Sequence, residues 1–233
     1  MSSRLSHLEE LRSELLAGVT HDLKTPVASI SGLLQAVNED VVTEDEAKEF
    51  IEISLKETDR LQQMIASLLD FNAFAAGGIP IYPAKTLISP FVSRTFMQWQ
   101  ATLTDINLTI HVMKPTSELE VSIDPVKVEQ ILINLAQNAR QASVSNSGQI
   151  NVTFIEKRHH IEIRIQDNGS GISQEEQPFI FERFYRGSDK KLRVRGLGLG
   201  LSYSRMIARA HGGDLQLVES SNEGSTFCLV LPK

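Results

Sequence analysis

From Leu8 to Val37 the apolar residues Leu8, Leu11, Leu15, Val19, Leu23, Val27, Ile30, Leu34 and Val37 follow one another at gaps of three or four. That spacing places one apolar stripe along an α-helix. At 1.5 Å per residue the helix is expected to run for about 50 Å. The segment EDVVTEDEAKEF interrupts it, and Thr43 followed by Glu46 has the form of a capping box that opens a second helix. This second helix carries Phe50, Ile51, Leu55, Leu61, Ile65, Leu68 and Leu69. Two long helices with a short loop make an antiparallel hairpin. A lone hairpin encloses too little core, so a dimer that closes a four-helix bundle is the expected completion.

After FNAFAAGGIPIYP the texture changes: Gly77, Gly78, Pro80 and Pro83 mark a linker. Beyond it INLTIHVM and LEVSI read as strands. DPVKVEQILINLAQNARQAS reads as a helix, with Asp124 as its cap and Pro125 in its first turn. GQINVTFIEKRHHIEIRIQD reads as two strands about a polar turn, LSYSRMIARAHGG as a helix closed by glycine, and DLQLVESSNEGSTFCLVLP as a hairpin. The expected class is α+β, with strands largely sequential and antiparallel and helices on one face. The expected division is a helical domain over 1–74, a hinge over 75–83 and a sandwich domain over 84–233.

The totals exclude some functions. A net charge of −6 argues against a general nucleic-acid binder. The single cysteine, Cys228, cannot form an internal disulfide, which fits a reducing, cytoplasmic setting. No apolar run approaches the roughly 20 residues that span a bilayer. The chain reads as a soluble protein or as the cytoplasmic piece of something longer.

Within the first helix, GVTHDLKTPVASI places His21 beside Asp22, with Thr25 one turn on. At about 100° per residue and Leu15 at zero, the apolar stripe spans roughly −40° to 120°, while His21 falls near 240°. Thr25 lies about 40° from His21, so the two share the face opposite the stripe. Asp22 could hold one ring nitrogen as N–H and leave the other lone pair to attack or to shuttle a proton. Pro26 cannot donate to the Asp22 carbonyl and is expected to bend the helix there. Taken alone, the dipeptide also fits an ordinary surface histidine in a kinked helix.

Further motifs follow in order. NLAQNA sets Asn134 and Asn138 one turn apart, where amide oxygens suit a hard cation such as magnesium. DNGSGI follows a strand: Asp167 at its end could accept from a ring amine, and Gly169 and Gly171 permit close approach of a flat ligand. GLGLGLS sets Gly196, Gly198 and Gly200 before a helix, where backbone N–H groups suit phosphate. It is neither a Walker loop nor a dinucleotide fingerprint, because no Lys-Ser/Thr pair follows and no βαβ unit surrounds it. Between the last two lies FERFYRGSDKKLRVR, with Arg183, Arg186, Lys190, Lys191, Arg193 and Arg195. Such a basic stretch could close over a triphosphate, and taken alone it also fits a solvated loop.

Together and in this order, the motifs closely resemble those of the sensor histidine kinases of two-component signalling, across nearly the whole chain. HDLKTP is similar to their phosphoacceptor box, NLAQNA to their Asn box, DNGSGI and GLGLGLS to their glycine boxes and FERFYRG to their Phe box. The resemblance implies a homodimeric phosphotransfer domain followed by a Bergerat-type ATP-binding α/β sandwich. It implies that His21 attacks the γ-phosphate of ATP, with Asp22 as base or orienting acid. Asn138 would ligate Mg²⁺ and Asn134 would stand on the phosphate side. Asp167 would accept from the adenine amine, Gly169 and Gly171 would line the purine, and Gly196, Gly198 and Gly200 would face the phosphates. The phosphoryl group would pass to an aspartate of a response regulator. Thr25 matches the position that orients water when the phosphorylated regulator is dephosphorylated, and a membrane-bound sensor region outside this chain would be in keeping with the family.

Gln141 and Ala142 stand where many relatives carry Lys and an aromatic residue, and Leu197 stands where Thr is frequent. Either Arg140, Arg186 or the lysines beyond it replace the lost phosphate contact, or the affinity for ATP is low. Two rival readings are an ATPase of the same nucleotide fold and a non-catalytic signalling module. The first lacks its base, since Asn134 occupies the place of the water-activating glutamate. The second leaves His21, Asn138 and Asp167 without a purpose.

Overall fold

The computed structural model describes residues 20, 23–39, 41–77, 79–103, 108–115, 117–143, 148–187 and 197–233. The chain divides into two compact units, one of residues 1–75 with 195–197 and one of residues 76–194 with 198–233.

The first unit is helical. Residues 23–38 form helix α1, and α2 runs Glu44–Gly77. The capping box forms as the sequence predicts: the Thr43 N–H donates to Glu46 Oε2 at 2.8 Å, and the Glu46 N–H reaches back to Thr43 Oγ1 at 3.4 Å. The Thr43 N–H and the Thr43 hydroxyl, which also donates to Glu46 Oε2 at 2.8 Å, hold the Glu46 carboxyl below its usual value. Met64 and Ser54 are buried, whereas Val27, Leu34, Ile51, Leu55 and Ile65 stay exposed on the single chain. Helix α2 extends to Gly77, the first glycine of the expected hinge. The bend expected at Pro26 turns on Asp22, which lies outside the described residues.

The second unit opens with strand β1 (Ala84–Leu87) and helix α3 (Ile88–Ala101). No element is expected from the sequence over residues 84–101, so both β1 and α3 are missed; Pro90 does not break the helix. It sits in the first turn of α3, where no N–H is needed. Ile88, Phe91, Val92, Phe96 and Trp99 then bury one helical face. After β2 (Leu108–Val112) and β3 (Glu120–Ile123) comes α4 (Pro125–Ala142). Strands β4 (Gly148–Glu156) and β5 (His160–Asp167), helix α5 (Gly200–Ala210), and β6 (Asp214–Ser221) with β7 (Gly224–Pro232) complete it.

The mixed α+β class holds, but the strands are not simply sequential. Five pair in the order β2-β4-β5-β7-β6, and β1 pairs with β3 in a separate antiparallel ladder. The β2–β4 pair is parallel, with Leu108 opposite Gly148. A parallel pair needs a long crossover, and α4 supplies it, returning the chain so that β4 starts at the same end as β2. The other pairs are antiparallel.

One sheet face carries Ile150, Val152, Ile161, Ile163, Ile165, Phe227, Leu229 and Leu231, all buried with the inner faces of the helices in one core. Each such side chain contributes about 1.5–3 kcal/mol on burial. Helix α4 adds Val128, Ile131, Leu132, Leu135, Ala136 and Ala139 at gaps of three and one, so its other side is left to polar residues.

Asp124 caps α4 as expected: Oδ1 accepts from the Val126 N–H at 3.1 Å and the Lys127 N–H at 3.2 Å. Its Oδ2 accepts from the Tyr82 N–H at 3.0 Å, tying the end of the linker to the start of the helix. Burial would raise this carboxyl, but the three backbone donors outweigh it and hold it below its usual value. The Asp124 N–H donates to His211 Nε2 at 3.0 Å, and His211 Nδ1 lies 2.8 Å from the Ile207 carbonyl. A neutral ring protonated at Nδ1 satisfies both. Gly212, at φ 78°, closes α5 as the sequence predicts.

Candidate active site

Helix α4 organises the candidate site. Asn134, Asn138 and Ala142 recur every four residues on its polar side, so about 12 Å separates the first from the last. Each position meets a different motif. Asn134 Nδ2 donates to Ser204 Oγ of α5 at 2.9 Å. Gly200 lies so close that a Cβ there would overlap the Asn134 amide oxygen and stand 3.2 Å from Nδ2. A larger residue here would have to displace the Asn134 amide. Two residues earlier Gly198 has φ 66°, and a Cβ on it would come within 2.7 Å of the Tyr185 carbonyl oxygen.

At the other end, a Cβ on Gly169 would stand 2.6 Å from the Ala142 Cβ. The Ser170 N–H donates to the Ala142 carbonyl at 2.9 Å. The small residue at 142 therefore seats the DNGSGI turn directly on the last turn of α4. Asp167, 8% exposed, ends β5. Its Oδ1 accepts from the Gly169 N–H at 2.8 Å and the Ser225 N–H at 3.3 Å, which fixes the plane of the carboxylate. Gly171, at φ 70°, passes under the Ser221 carbonyl, and the Ile172 N–H donates to Ser220 Oγ at 2.8 Å. The turn is thus held between α4 and the β6–β7 hairpin.

Between these two ends, Asn138 Nδ2 is buried with no hydrogen-bond partner among the described residues. A buried amide atom without a partner carries an unmet desolvation cost. Rotating the amide exchanges nitrogen for oxygen, so the same place can present an oxygen donor to a hard cation. The residue present fits Mg²⁺ on that ground.

Thr25 is exposed on α1. His21, Asp22 and Gly196 lie outside the described residues, as do Lys190, Lys191, Arg193 and Arg195. Arg186 is half-buried next to Tyr185. Sequence reasoning does not single out Ser204, Ser220 or Ser225. The signal for Ser225 is strand register, since Gln166 pairs with Thr226 and so sets the adjacent Ser225 beside Asp167. The signal for Ser204 is its place one turn beyond Gly200.

Two family descriptions match the chain. Residues 11–77 match the family described as "His Kinase A (phospho-acceptor) domain". Residues 123–233 match "Histidine kinase-, DNA gyrase B-, and HSP90-like ATPase". This chain belongs to the sensor histidine kinases. The sensor protein KdpD of Clostridium acetobutylicum is 33% identical over 97% of this chain, which spans 25% of that relative. The sensor protein SrrB of Staphylococcus aureus is 29% identical over 97% of it, and here the chain spans 39% of the relative. The kinase core described here is thus well under half the length of these relatives. Among solved structures, the histidine kinase AdeS of Acinetobacter baumannii superposes with a TM-score of 0.71 at 21% identity, covering 91% of this chain and 97% of that one. The histidine kinase ThkA, solved in complex with the response regulator protein TrrA, gives 0.75 at 23% identity over 100% of this chain and 64% of that one. At these identities the two structures establish a shared fold. No described helix of the kinase core is long and apolar enough to cross a membrane.

Proposed function

We propose that this chain phosphorylates its own His21 from ATP and passes the phosphoryl group to an aspartate of a response regulator. The observation that carries the reading is the polar side of α4, where glycine loop, unsatisfied amide and purine turn meet residues 134, 138 and 142 in that order. A nucleotide laid along this side sets its base at Asp167 and its phosphates at the start of α5. Phosphoryl transfer needs alignment and charge neutralisation more than covalent help, and this arrangement supplies alignment.

Asp167 accepts from the adenine amine, and the N–H groups ahead of α5 receive phosphate oxygens. When bound, Mg²⁺ neutralises charge on the phosphates, and Asn138 is the residue that holds it. A His21 ring nitrogen forms the bond to the γ-phosphorus while the bridging oxygen leaves with ADP, and Asp22 orients the ring or takes its proton. The apolar residues left exposed on α1 and α2 support a second copy of the chain as the partner that completes a four-helix bundle. The likeness to a kinase solved with its regulator supports a response regulator as the acceptor.

Incubation with γ-labelled ATP and Mg²⁺ tests this reading. Acid-labile, base-stable label on the protein is the expected result, whereas free phosphate alone indicates an ATPase and neither product indicates a scaffold. A second activity, removal of phosphate from the regulator, is proposed for Thr25, which is exposed and stands four residues after His21 in sequence. Thr25→Ala is expected to leave self-labelling intact and slow regulator dephosphorylation by about tenfold or more. An unchanged dephosphorylation rate would remove Thr25 from the mechanism.

A further inference from the structure

From the DNGSGI turn to residue 187 the described chain has little regular structure, yet two points of it are held firmly. Phe181 meets the Phe227 ring of β7 edge-on, with centroids 6.4 Å apart and planes at 88°. The Arg205 guanidinium of α5 lies over the same Phe181 ring at 4.7 Å. Arg205 is in turn clamped by Asp214, with Nε 2.9 Å from Oδ1 and Nη2 3.1 Å from Oδ2. Burial would raise the Asp214 carboxyl, but the hydrogen bonds from Arg205 and Arg209 outweigh it and hold it at about 2. The clamp therefore stays charged across the working pH range.

The second point is Phe184. Its φ of 63° is the left-handed region, where a residue other than glycine is strained. Such a conformation persists only when its surroundings impose it. Its N–H donates to the Gly198 carbonyl at 3.0 Å, and the Tyr185 carbonyl fills the space beside Gly198. Residues 184 and 185 thus back the glycine that leads into α5.

We infer that Arg205 is a positioning residue for nucleotide binding: through Phe181 it holds residues 181–185 against Gly198 and keeps the backbone ahead of α5 aimed at the phosphates. This rests on the reading that Gly198 and Gly200 face the phosphates of ATP. Arg205 does not itself serve as a phosphate ligand, because the bidentate pair with Asp214 and the stack on Phe181 occupy its fork and its face. Lysine cannot replace it, since a point charge gives neither the planar stack nor the bidentate grip.

The test is steady-state self-labelling of the full chain at varied ATP and fixed Mg²⁺. Arg205→Gln is expected to raise the KM for ATP by about tenfold and to leave kcat within about twofold, because a binding geometry is lost and no reacting group is. Phe181→Leu reads the same contact from its other side and is expected to raise KM similarly. The double variant is expected to be no worse than either single, as coupled residues require. Arg205→Lys is expected to recover less than half of the loss. A fall in kcat at unchanged KM marks damage to the fold and overturns the assignment, as does an unchanged KM or a double variant whose effects multiply. If the wild-type chain takes no label from ATP, the underlying nucleotide reading fails instead.

Discussion

His21→Gln is expected to lower self-labelling from γ-labelled ATP by at least about a thousandfold, to background, while nucleotide binding stays within about twofold of the parent. Glutamine approximates the reach of the imidazole and keeps a polar head. Its amide nitrogen, however, has its lone pair delocalised into the carbonyl and cannot form the bond to phosphorus. Binding is spared because the proposed nucleotide contacts on α4, the DNGSGI turn, Gly198 and Gly200 all belong to the second unit. The comparison needs both readouts. Retained acid-labile label in the variant would move the nucleophile elsewhere, and lost nucleotide binding would mean that the two activities are not separable as proposed.

Local chemistry explains what was legible in the sequence. The Thr43–Glu46 box and the Asp124-Pro125 start act over three residues, and both form as spelled. Helix α4 and the two hairpins follow from apolar spacing and turn residues, which are also short-range signals. The parallel β2–β4 pair was not legible, because a crossover is decided by which strand edge is open once α4 has packed. Helix α3 was missed, although Pro90, a breaker in the interior of a helix, is neutral in its first turn.

The same limit applies to the candidate site. Asn134, Asn138, Asp167 and the glycines announce themselves as motifs, but the groups that orient them do not. Ser204 is 70 residues from Asn134 and Ser225 is 58 from Asp167, so only the folded chain brings them together. In sequence, Ala142 reads as the loss of an aromatic contact. In the structure it is the small residue on which Gly169 rests, so its size also sets the depth of the turn.

Asp167→Asn is expected to weaken ATP binding by about a hundredfold, close to 2.7 kcal/mol, with little change in stability. The carboxylate has two tasks that asparagine separates. Oδ1 accepts from the Gly169 and Ser225 N–H groups, and an asparagine oxygen turned the same way keeps both bonds. The turn therefore keeps its shape, whereas Asp167→Ala strands two buried donors at about 1–3 kcal/mol each and confounds binding with folding. With its oxygen so committed, the asparagine presents its NH₂ to the ligand. The exocyclic amine of adenine is also a donor, and two donors facing each other leave both unsatisfied. Guanine carries a carbonyl at that ring position, so the variant is expected to lose its preference for ATP over GTP even as both bind weakly. Measured affinities for the two nucleotides decide the matter: an Asp167→Asn variant that holds ATP as tightly as the parent, with the preference intact, would remove Asp167 from purine recognition.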